Sequence, residues 1–247
     1  MQSNSEIIMS FFQLKQTSTY VIKNKWIWIY LIIPWILNVI ILFVFWFIVF
    51  NALQATVLGL SFFAGSGGIL SGIVSVILFI LTGFIGIIIF YLLASLIASP
   101  FNGLMVESML GRVGYIKDSD KGFIKSIANE LFRSLKFEGI KLTLIVIFIS
   151  GSLLLGLLPI IGVVVAGILT YFGNTYLALV EYYDPVLSSS GVEVRDRFRH
   201  VKKNLKGNFG LFLLSGLMIY IPIINILYIP FAVITATLTY IKSNPKR

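Results

Sequence analysis

The sequence contains no cysteine, which excludes disulfide bonds, iron–sulfur clusters and thiol chemistry. Charged residues are also scarce: they make up 12% of the chain, about half of the fraction found in soluble globular proteins. Hydrophobic residues occupy 58% of the 247 positions. This balance predicts a polytopic membrane protein, because a soluble chain needs many more charged residues on its surface.

The residues that most enzymes and metal sites use are nearly absent. His200 is the single histidine, whereas a metal site needs several ligands that converge on one point. The chain has no GxxxxGK[ST] phosphate-binding loop, so we expect no enzymatic activity, no metal and no cofactor. No Asp or Glu lies inside an apolar run, which favours a passive pathway or a role outside transport over a proton-driven pump. Glu107 and Glu181 lie at the edges of such runs, where a helix-cap or salt-bridge role is expected.

The formal net charge is +9, and the placement of the positive residues indicates a membrane as partner. All Lys and Arg residues lie outside three uncharged runs, 26–106, 142–180 and 207–241. If each run leaves and returns on one side, all charged blocks share one face, which the positive-inside rule makes cytoplasmic. We expect a multi-pass protein of the inner membrane with both termini cytoplasmic, in contact with anionic lipid. Nucleic acid is not an expected partner, because no basic and aromatic stripe lies outside the runs.

The lengths of the uncharged runs predict two kinds of membrane segment. The first run holds two full spanning helices, 26–50 and 69–98, since one crossing takes about 20 apolar residues. The other two runs, 142–180 and 207–241, are short for two crossings each. At about 1.5 Å per residue, the shorter run reaches about 52 Å, whereas two crossings need about 60 Å and a turn.

Both shorter runs also carry proline near the middle, at Pro159 in one and at Pro222 and Pro230 in the other. They are interpreted as helical hairpins that reach part of the way into the membrane and turn round inside the protein. Two ordinary tight hairpins in a thin bilayer are the alternative. The predicted fold is therefore all-α and integral to the membrane. It has two full transmembrane helices, two Pro-broken, part-penetrating hairpins and amphipathic cytoplasmic helices.

The charged blocks are predicted to form these cytoplasmic helices. The segment 99–141 contains an amphipathic pattern at 121–136, and the segment 181–206 contains a strongly basic stretch. Apolar residues at helical spacing in the basic stretch are typical of a helix that lies on lipid headgroups: Val194, Phe198, Val201 and Leu205. The stretch before it, 182–191, contains proline, serines and glycine and is predicted to be a loop.

The stretch SPFNGLMVE, 99–107, ends the longest uncharged run and is the main candidate for a binding site. Pro100 disfavours helical backbone at the residue before it, and Asn102 is a favourable N-cap for a new helix. The N–H groups of Gly103 and Leu104 would then be free at a positive helix end, which attracts anions. The alternative is a helix break that Asn102 caps by itself, with Glu107 stabilising the first turn and no ligand.

At this motif the chain resembles the CysZ-type sulfate permeases, which belong with the eukaryotic etoposide-induced transmembrane proteins. Four segments carry the resemblance: IASPFNGLMVE (97–107), LLPIIG (157–162), EYYDP (181–185) and IPIINILYIPFAVITATL (221–238). The resemblance implies two spanning helices and two part-penetrating helical pairs, associated into homo-oligomers. It also implies passage of sulfate, a small inorganic anion, into the cytoplasm without an ATPase.

The resemblance also implies where the anion binds. In the family, sulfate is held near a Gly-Leu-x-x-Glu turn together with an arginine pair just before the first span. Trp28 and Ile29 occupy the positions of that pair here, and lysine lacks the fixed fork of donors that arginine provides. The site therefore differs from the family pattern in its cations. The anion-binding residues expected in this chain are Asn102, Gly103, Leu104, Glu107, Lys23 and Lys25.

Two functions are compatible with the sequence. The first is a passive anion permease or channel of the inner membrane, with sulfate as the anion that the resemblance implies. The second is a non-transport scaffold that organises lipids or partner proteins, which the missing arginine pair and the basic stretch favour. Anion flux through the reconstituted protein separates the two.

Overall fold

The computed structural model describes residues 2–63, 69–116, 123–158, 161–219 and 221–245, and these residues confirm the all-α class. The α-helices in these ranges are α1 Gln2–Lys23, α2 Ile27–Phe63, α3 Ile69–Arg112, α4 Phe123–Gly156, α5 Ile161–Ser189, α6 Val194–Lys203, α7 Phe209–Met218 and α8 Pro222–Ser243. A 3₁₀ turn, Lys206–Asn208, precedes α7.

Among the described residues, three stretches are long and apolar enough to cross a membrane: Ile27–Val49, Leu131–Gly156 and Ile161–Ser189. The first coincides with the predicted span 26–50. Helix α3 covers the predicted span 69–98, whose crossing stays a prediction.

The chain divides into two compact units. One is Ile33–Ala98, and the other combines Met1–Ile32 with Ser99–Arg247. The second unit, called the larger unit below, contains all of the predicted site residues.

Helices α4 and α5 form the first predicted hairpin and are longer than the uncharged run suggested. They contain 34 and 29 residues, so each exceeds the thickness of a bilayer core, about 30 Å, at about 1.5 Å per residue. The length argument for partial penetration does not hold here, because both helices continue into the flanking charged segments. The depth that this hairpin reaches stays a prediction, and Pro159 lies outside the described residues.

Polar and close-packed contacts join these two helices. The hydroxyl groups of Ser152 and Thr170 share a hydrogen bond of 2.7 Å. At Gly162, in the first turn of α5, an added Cβ would lie 2.0 Å from the carbonyl oxygen of Leu155. Only glycine fits at such a distance, so close backbone packing explains the last residue of the LLPIIG segment.

Helices α7 and α8 form the second predicted hairpin. Helix α7 has 10 residues and is about 15 Å long, half of a bilayer core. Pro222 stands at the start of α8, where the missing N–H of proline costs little, whereas Pro230 lies inside the same helix and does not break it. The short α7 supports a hairpin that reaches part of the way, which stays a prediction.

The basic stretch forms helix α6, but the prediction that its apolar stripe lies on lipid headgroups is wrong. Val201 is fully buried, and Val194, Phe198 and Leu205 pack against the hydrophobic core of the larger unit. Apolar side chains that are already covered by protein are not available to a membrane. The residues that α6 leaves exposed are basic: Arg195, Arg199, Lys202 and Lys203.

The predicted loop at 182–191 is also wrong over most of its length. Helix α5 continues to Ser189 with Pro185 in its interior. Proline inside a helix costs about 3 kcal/mol, but Tyr182 and Tyr183, in the turn before Pro185, are 1% exposed, and their packing offsets that cost. The chain turns at Gly191, whose φ of +77° lies in the left-handed region that glycine adopts readily.

Candidate functional site

The motif 99–107 lies inside helix α3, and the predicted helix start at Asn102 is wrong. Helix α3 runs from Ile69 to Arg112 with Pro100 in its interior. The N–H groups of Gly103 and Leu104 therefore belong to a continuous helix, in which N–H groups donate to carbonyls one turn earlier. The motif offers no free helix N-terminus to an anion, so any anion contact here has to come from side chains.

The predicted motif residues are mostly buried in the larger unit. Asn102 is 5% exposed and Leu104 is 8% exposed; Gly103 is also buried, and Glu107 is half-buried. The Oδ1 atom of Asn102 is buried and has no hydrogen-bond partner among the described residues. A buried polar atom without a partner is costly. Because an Asn amide presents an acceptor on one side and two donors on the other, this position can serve a ligand in either orientation.

Two serines connect the motif to helix α4. The hydroxyl groups of Ser99 and Ser134 are 2.5 Å apart and share a hydrogen bond, although 35 positions separate them in the chain. Ser134 is buried. Since Arg133 is the residue before Ser134, this contact brings an arginine into the neighbourhood of the motif.

Helix α4 buries several polar residues within the larger unit. Ser134, Glu138 and Lys141 follow one another at helical spacing and are all buried. Leu131 and Leu135, which belong to the amphipathic pattern predicted at 121–136, are exposed. Lys136 is exposed as well, so over its described side chains α4 does not divide into one covered polar face and one outward apolar face.

A cluster of three charged residues forms around Asp184, the acidic residue of the EYYDP segment. Arg133 Nη1 donates to one carboxylate oxygen of Asp184 at 2.5 Å, and Arg197 Nη1 donates to the other. Arg197 also donates through Nε to the carbonyl of Val192 at 2.8 Å and through Nη2 to the hydroxyl of Ser188 at 3.3 Å. Two guanidinium groups and one carboxylate make up this cluster, called the arginine cluster below.

A second cluster lies further along α4. Lys141 Nζ donates to Glu138 at 2.8 Å and to Glu181 at 3.0 Å. This confirms the salt-bridge role expected for Glu181. In both clusters each charged group lies beside one of the opposite sign, which limits the cost of holding these charges at low exposure.

The predicted lysines are not joined to the motif. Lys23 ends α1, Lys25 lies in the turn that follows, and both are exposed. Within the described part of the chain, neither lysine side chain makes a hydrogen bond or an ion pair to the motif. Trp28 and Ile29, at the positions of the family's arginine pair, are 44% and 60% exposed.

An arginine does reach the start of α2, but it comes from the end of α3. The guanidinium carbon of Arg112 lies 4.3 Å from the centre of the Trp26 ring, within the range of a cation–π contact. The indole Nε1 of Trp26 is buried without a partner among the described residues. Sequence reasoning missed Arg112 because only the fold brings residues so distant in the chain together.

The single histidine lies between two aromatic rings. The His200 ring centre is 6.1 Å from that of Tyr183 and 5.9 Å from that of Tyr240. Burial lowers the pKa of the His200 imidazole. In the described ranges, no three His, Cys, Asp or Glu side chains are grouped so as to hold a metal ion.

Comparison with known proteins gives these residues a context. Residues 14–230 match the family described as "Sulfate transporter CysZ/Etoposide-induced protein 2.4". The chain is 28% identical over 152 residues to a protein named Sulfate transporter CysZ from Vibrio parahaemolyticus, covering 62% of this chain and 61% of the relative. Proteins of the same name from Vibrio cholerae (strain N16961) and Salmonella typhimurium are each 27% identical over 152 residues, covering 62% of this chain and 60% of the relative.

The chain thus matches about three fifths of the length of these relatives. The range that matches the family contains the motif and both charge clusters.

Proposed function

The chain belongs to the sulfate transporter CysZ/etoposide-induced protein 2.4 family, and from this we propose that it is an inner-membrane permease through which sulfate passes passively into the cytoplasm. The family consists of transporters rather than enzymes, in agreement with the expectation from the sequence. The relatives' name supplies the substrate, and the three membrane-length stretches support the membrane location. Cytoplasmic termini and association into homo-oligomers are part of the same proposal.

The arginine cluster is the observation that carries this proposal. It places two guanidinium groups beside one carboxylate at low exposure, and the Ser99–Ser134 hydrogen bond links α4, the helix that carries Arg133, to the motif. Arginine binds tetrahedral oxyanions well, because its planar fork donates two parallel hydrogen bonds. The Arg133 side chain is 18% exposed, compared with 9% for Arg197, so Arg133 is the residue proposed to meet sulfate.

The motif residues and the lysines have proposed roles around Arg133. The amide of Asn102 donates a hydrogen bond to the anion. The helical turn that contains Gly103 and Leu104 holds this amide in place, and Glu107 lies at the edge of the site. Lys23 and Lys25 are exposed, and they raise the local concentration of anions before these enter.

Passive transport is supported by the carboxylates. Among the described residues, the two buried carboxylates are Glu138 and Asp184, and each is paired with a cation. A paired carboxylate is poorly suited to carry protons, because its protonation would leave the cation uncompensated.

The test is sulfate uptake, first in a strain that lacks sulfate import and then in proteoliposomes. Arg133→Gln is expected to lower the rate at least about tenfold, since a hydrogen bond to a charged group contributes about 1.5–3 kcal/mol. Arg133→Lys keeps the positive charge but lacks the planar fork of donors, so its uptake rate should lie between those of the wild type and Arg133→Gln. Arg195→Gln, an exposed arginine on α6, is the matched control and should transport like the wild type. The proposal is refuted if proteoliposomes that contain folded wild-type protein take up sulfate no faster than empty vesicles do.

A non-transport scaffold is the second candidate, and the outward basic face of α6 favours it. If the protein is a scaffold, binding to vesicles that contain anionic lipid should be lost when four residues are neutralised: Arg195, Arg199, Lys202 and Lys203. Neither the wild type nor any variant should then transport sulfate. Arg197 does not belong in that set, because it is buried in the arginine cluster.

A further inference from the structure

A pocket of 280 Å³ opens in the larger unit, where α1, α5, α6 and α8 meet the 3₁₀ turn. Its walls carry hydrogen-bonding side chains, among them Gln13, Asn204, Thr239 and Ser243, together with the amine of Lys242. The described lining contains no carboxylate. None of its residues belongs to the motif or to the two charge clusters, so the pocket is separate from the proposed sulfate site.

The surroundings of the pocket are positively charged. Eight of the ten lining residues follow position 196, and the chain contains no Asp or Glu beyond Asp196. Lys202, Lys203 and Lys206 are exposed on the segment that forms one wall, and Lys242 is exposed as well. A cleft bordered by one sign of charge concentrates ligands of the opposite sign.

Part of the wall is fixed by its own hydrogen bonds. The Tyr183 hydroxyl donates to Asn208 Oδ1 at 2.5 Å, and Asn208 Nδ2 donates to the carbonyl of Asn204 at 2.8 Å. Gln13 differs from these residues, because its Oε1 is buried without a partner among the described residues. The Gln13 amide therefore has hydrogen-bonding capacity left for a ligand.

We infer that this pocket binds a small phosphate ester that carries hydroxyl groups. Lys242 supplies positive charge for the phosphate, and the amide and hydroxyl side chains, Gln13 included, bond to the substituent. The volume of 280 Å³ corresponds to about nine water molecules at about 30 Å³ each, more than a bare oxyanion fills. It is close to the lower end of ligand pockets, about 300 Å³. The same chemistry occurs in soluble glycerol phosphate and in the headgroup of phosphatidylglycerol, and the inference does not depend on sulfate transport.

His200 provides the readout, because it is the only histidine and it lines the pocket. Protein labelled with ¹³C-histidine in phosphatidylcholine nanodiscs gives one imidazole signal. In the first arm, glycerol 3-phosphate is titrated against sodium chloride of equal ionic strength. In the second arm, phosphatidylglycerol replaces phosphatidylcholine stepwise without soluble ester. A saturable shift of the His200 signal in the first arm identifies the soluble ester, and one confined to the second arm identifies the lipid headgroup.

Two variants and one control decide whether the shift comes from the pocket. Lys242→Gln should weaken the apparent affinity at least about tenfold, because it removes a charged donor to the phosphate. Gln13→Glu should abolish binding by placing a negative charge in the wall. Lys136→Gln, an exposed lysine on α4 outside the pocket, should stay within about twofold of the wild type. The inference is overturned if neither arm shifts the His200 signal, or if Lys242→Gln and Lys136→Gln weaken binding equally.

Discussion

Replacing Asp184 by Asn is expected to destabilise the protein by about 3–5 kcal/mol. Asp184 pairs with both Arg133 and Arg197, whose side chains are only 18% and 9% exposed. Removing one partner of a buried ion pair costs about 3–5 kcal/mol, because the remaining charge is left without compensation. Two such losses do not add in full here. Arg133 is partly exposed, and Arg197 keeps its hydrogen bonds to the Val192 carbonyl and the Ser188 hydroxyl.

The free energy of unfolding is measured by titrating the detergent-solubilised protein with SDS. The matched control is Asp196→Asn, because Asp196 pairs with Arg199 and their side chains are 49% and 58% exposed. An exposed pair contributes about 0–1 kcal/mol, so this variant should unfold close to the wild type. The double variant Asp184→Asn/Arg197→Met should recover part of the loss. If Asp184→Asn costs less than about 1 kcal/mol, or no more than the control, the ion pairs of the arginine cluster do not stabilise the fold.

Two further predictions use the same assay. Gly216→Ala should cost about 1–3 kcal/mol, because an added Cβ would lie 2.4 Å from the Tyr171 hydroxyl oxygen; Gly167→Ala, with nothing within 4 Å, should stay within about 1 kcal/mol of the wild type. Equal effects of the two substitutions would contradict this packing. Burial lowers the pKa of His200 in the folded state, so protonation favours unfolding and stability should fall as the pH drops below about 6.5. His200→Gln should flatten this fall between about pH 7.5 and pH 5.5, and an unchanged slope would exclude His200 as its source.

Local composition predicted which parts of the chain are helical better than it predicted where helices end. The first span follows from an apolar run long enough to cross a bilayer, and the described residues form a helix of sufficient length there, Ile27–Val49 within α2. The rules for proline failed at Pro100 and Pro185, which both lie inside helices. Those rules describe an isolated helix, whereas here buried neighbours such as Asn102 and Tyr183 hold the backbone in place despite the lost N–H.

Amphipathic patterns show a second limit of the sequence. An amphipathic pattern indicates that two faces of a helix differ, but it does not indicate which of the two faces is buried in the protein. In α6 the apolar residue Val201 is buried and the basic residues are exposed, whereas in α4 the polar residue Ser134 is buried and Leu135 is exposed. The difference follows from the surroundings: α6 packs on an apolar core, and α4 carries the charges that pair with α5.

The candidate site was predictable only in part. The motif residues, such as Asn102, stand out by their pattern in one segment of the chain. Arg133 and Arg112 do not, because their relation to the motif and to Trp26 depends on contacts between distant segments. The expected helix start with free backbone N–H groups was wrong for a related reason, since tertiary packing keeps α3 continuous through the motif.

Sulfate flux into proteoliposomes, measured with and without a pH gradient at a clamped membrane potential, is the decisive test of passive sulfate transport by this protein. Passive passage predicts uptake that follows the sulfate gradient, is the same with and without the pH gradient, and falls at least about tenfold in Arg133→Gln. Uptake that requires the pH gradient would contradict the passive mechanism. Uptake that is absent from folded protein would contradict transport altogether.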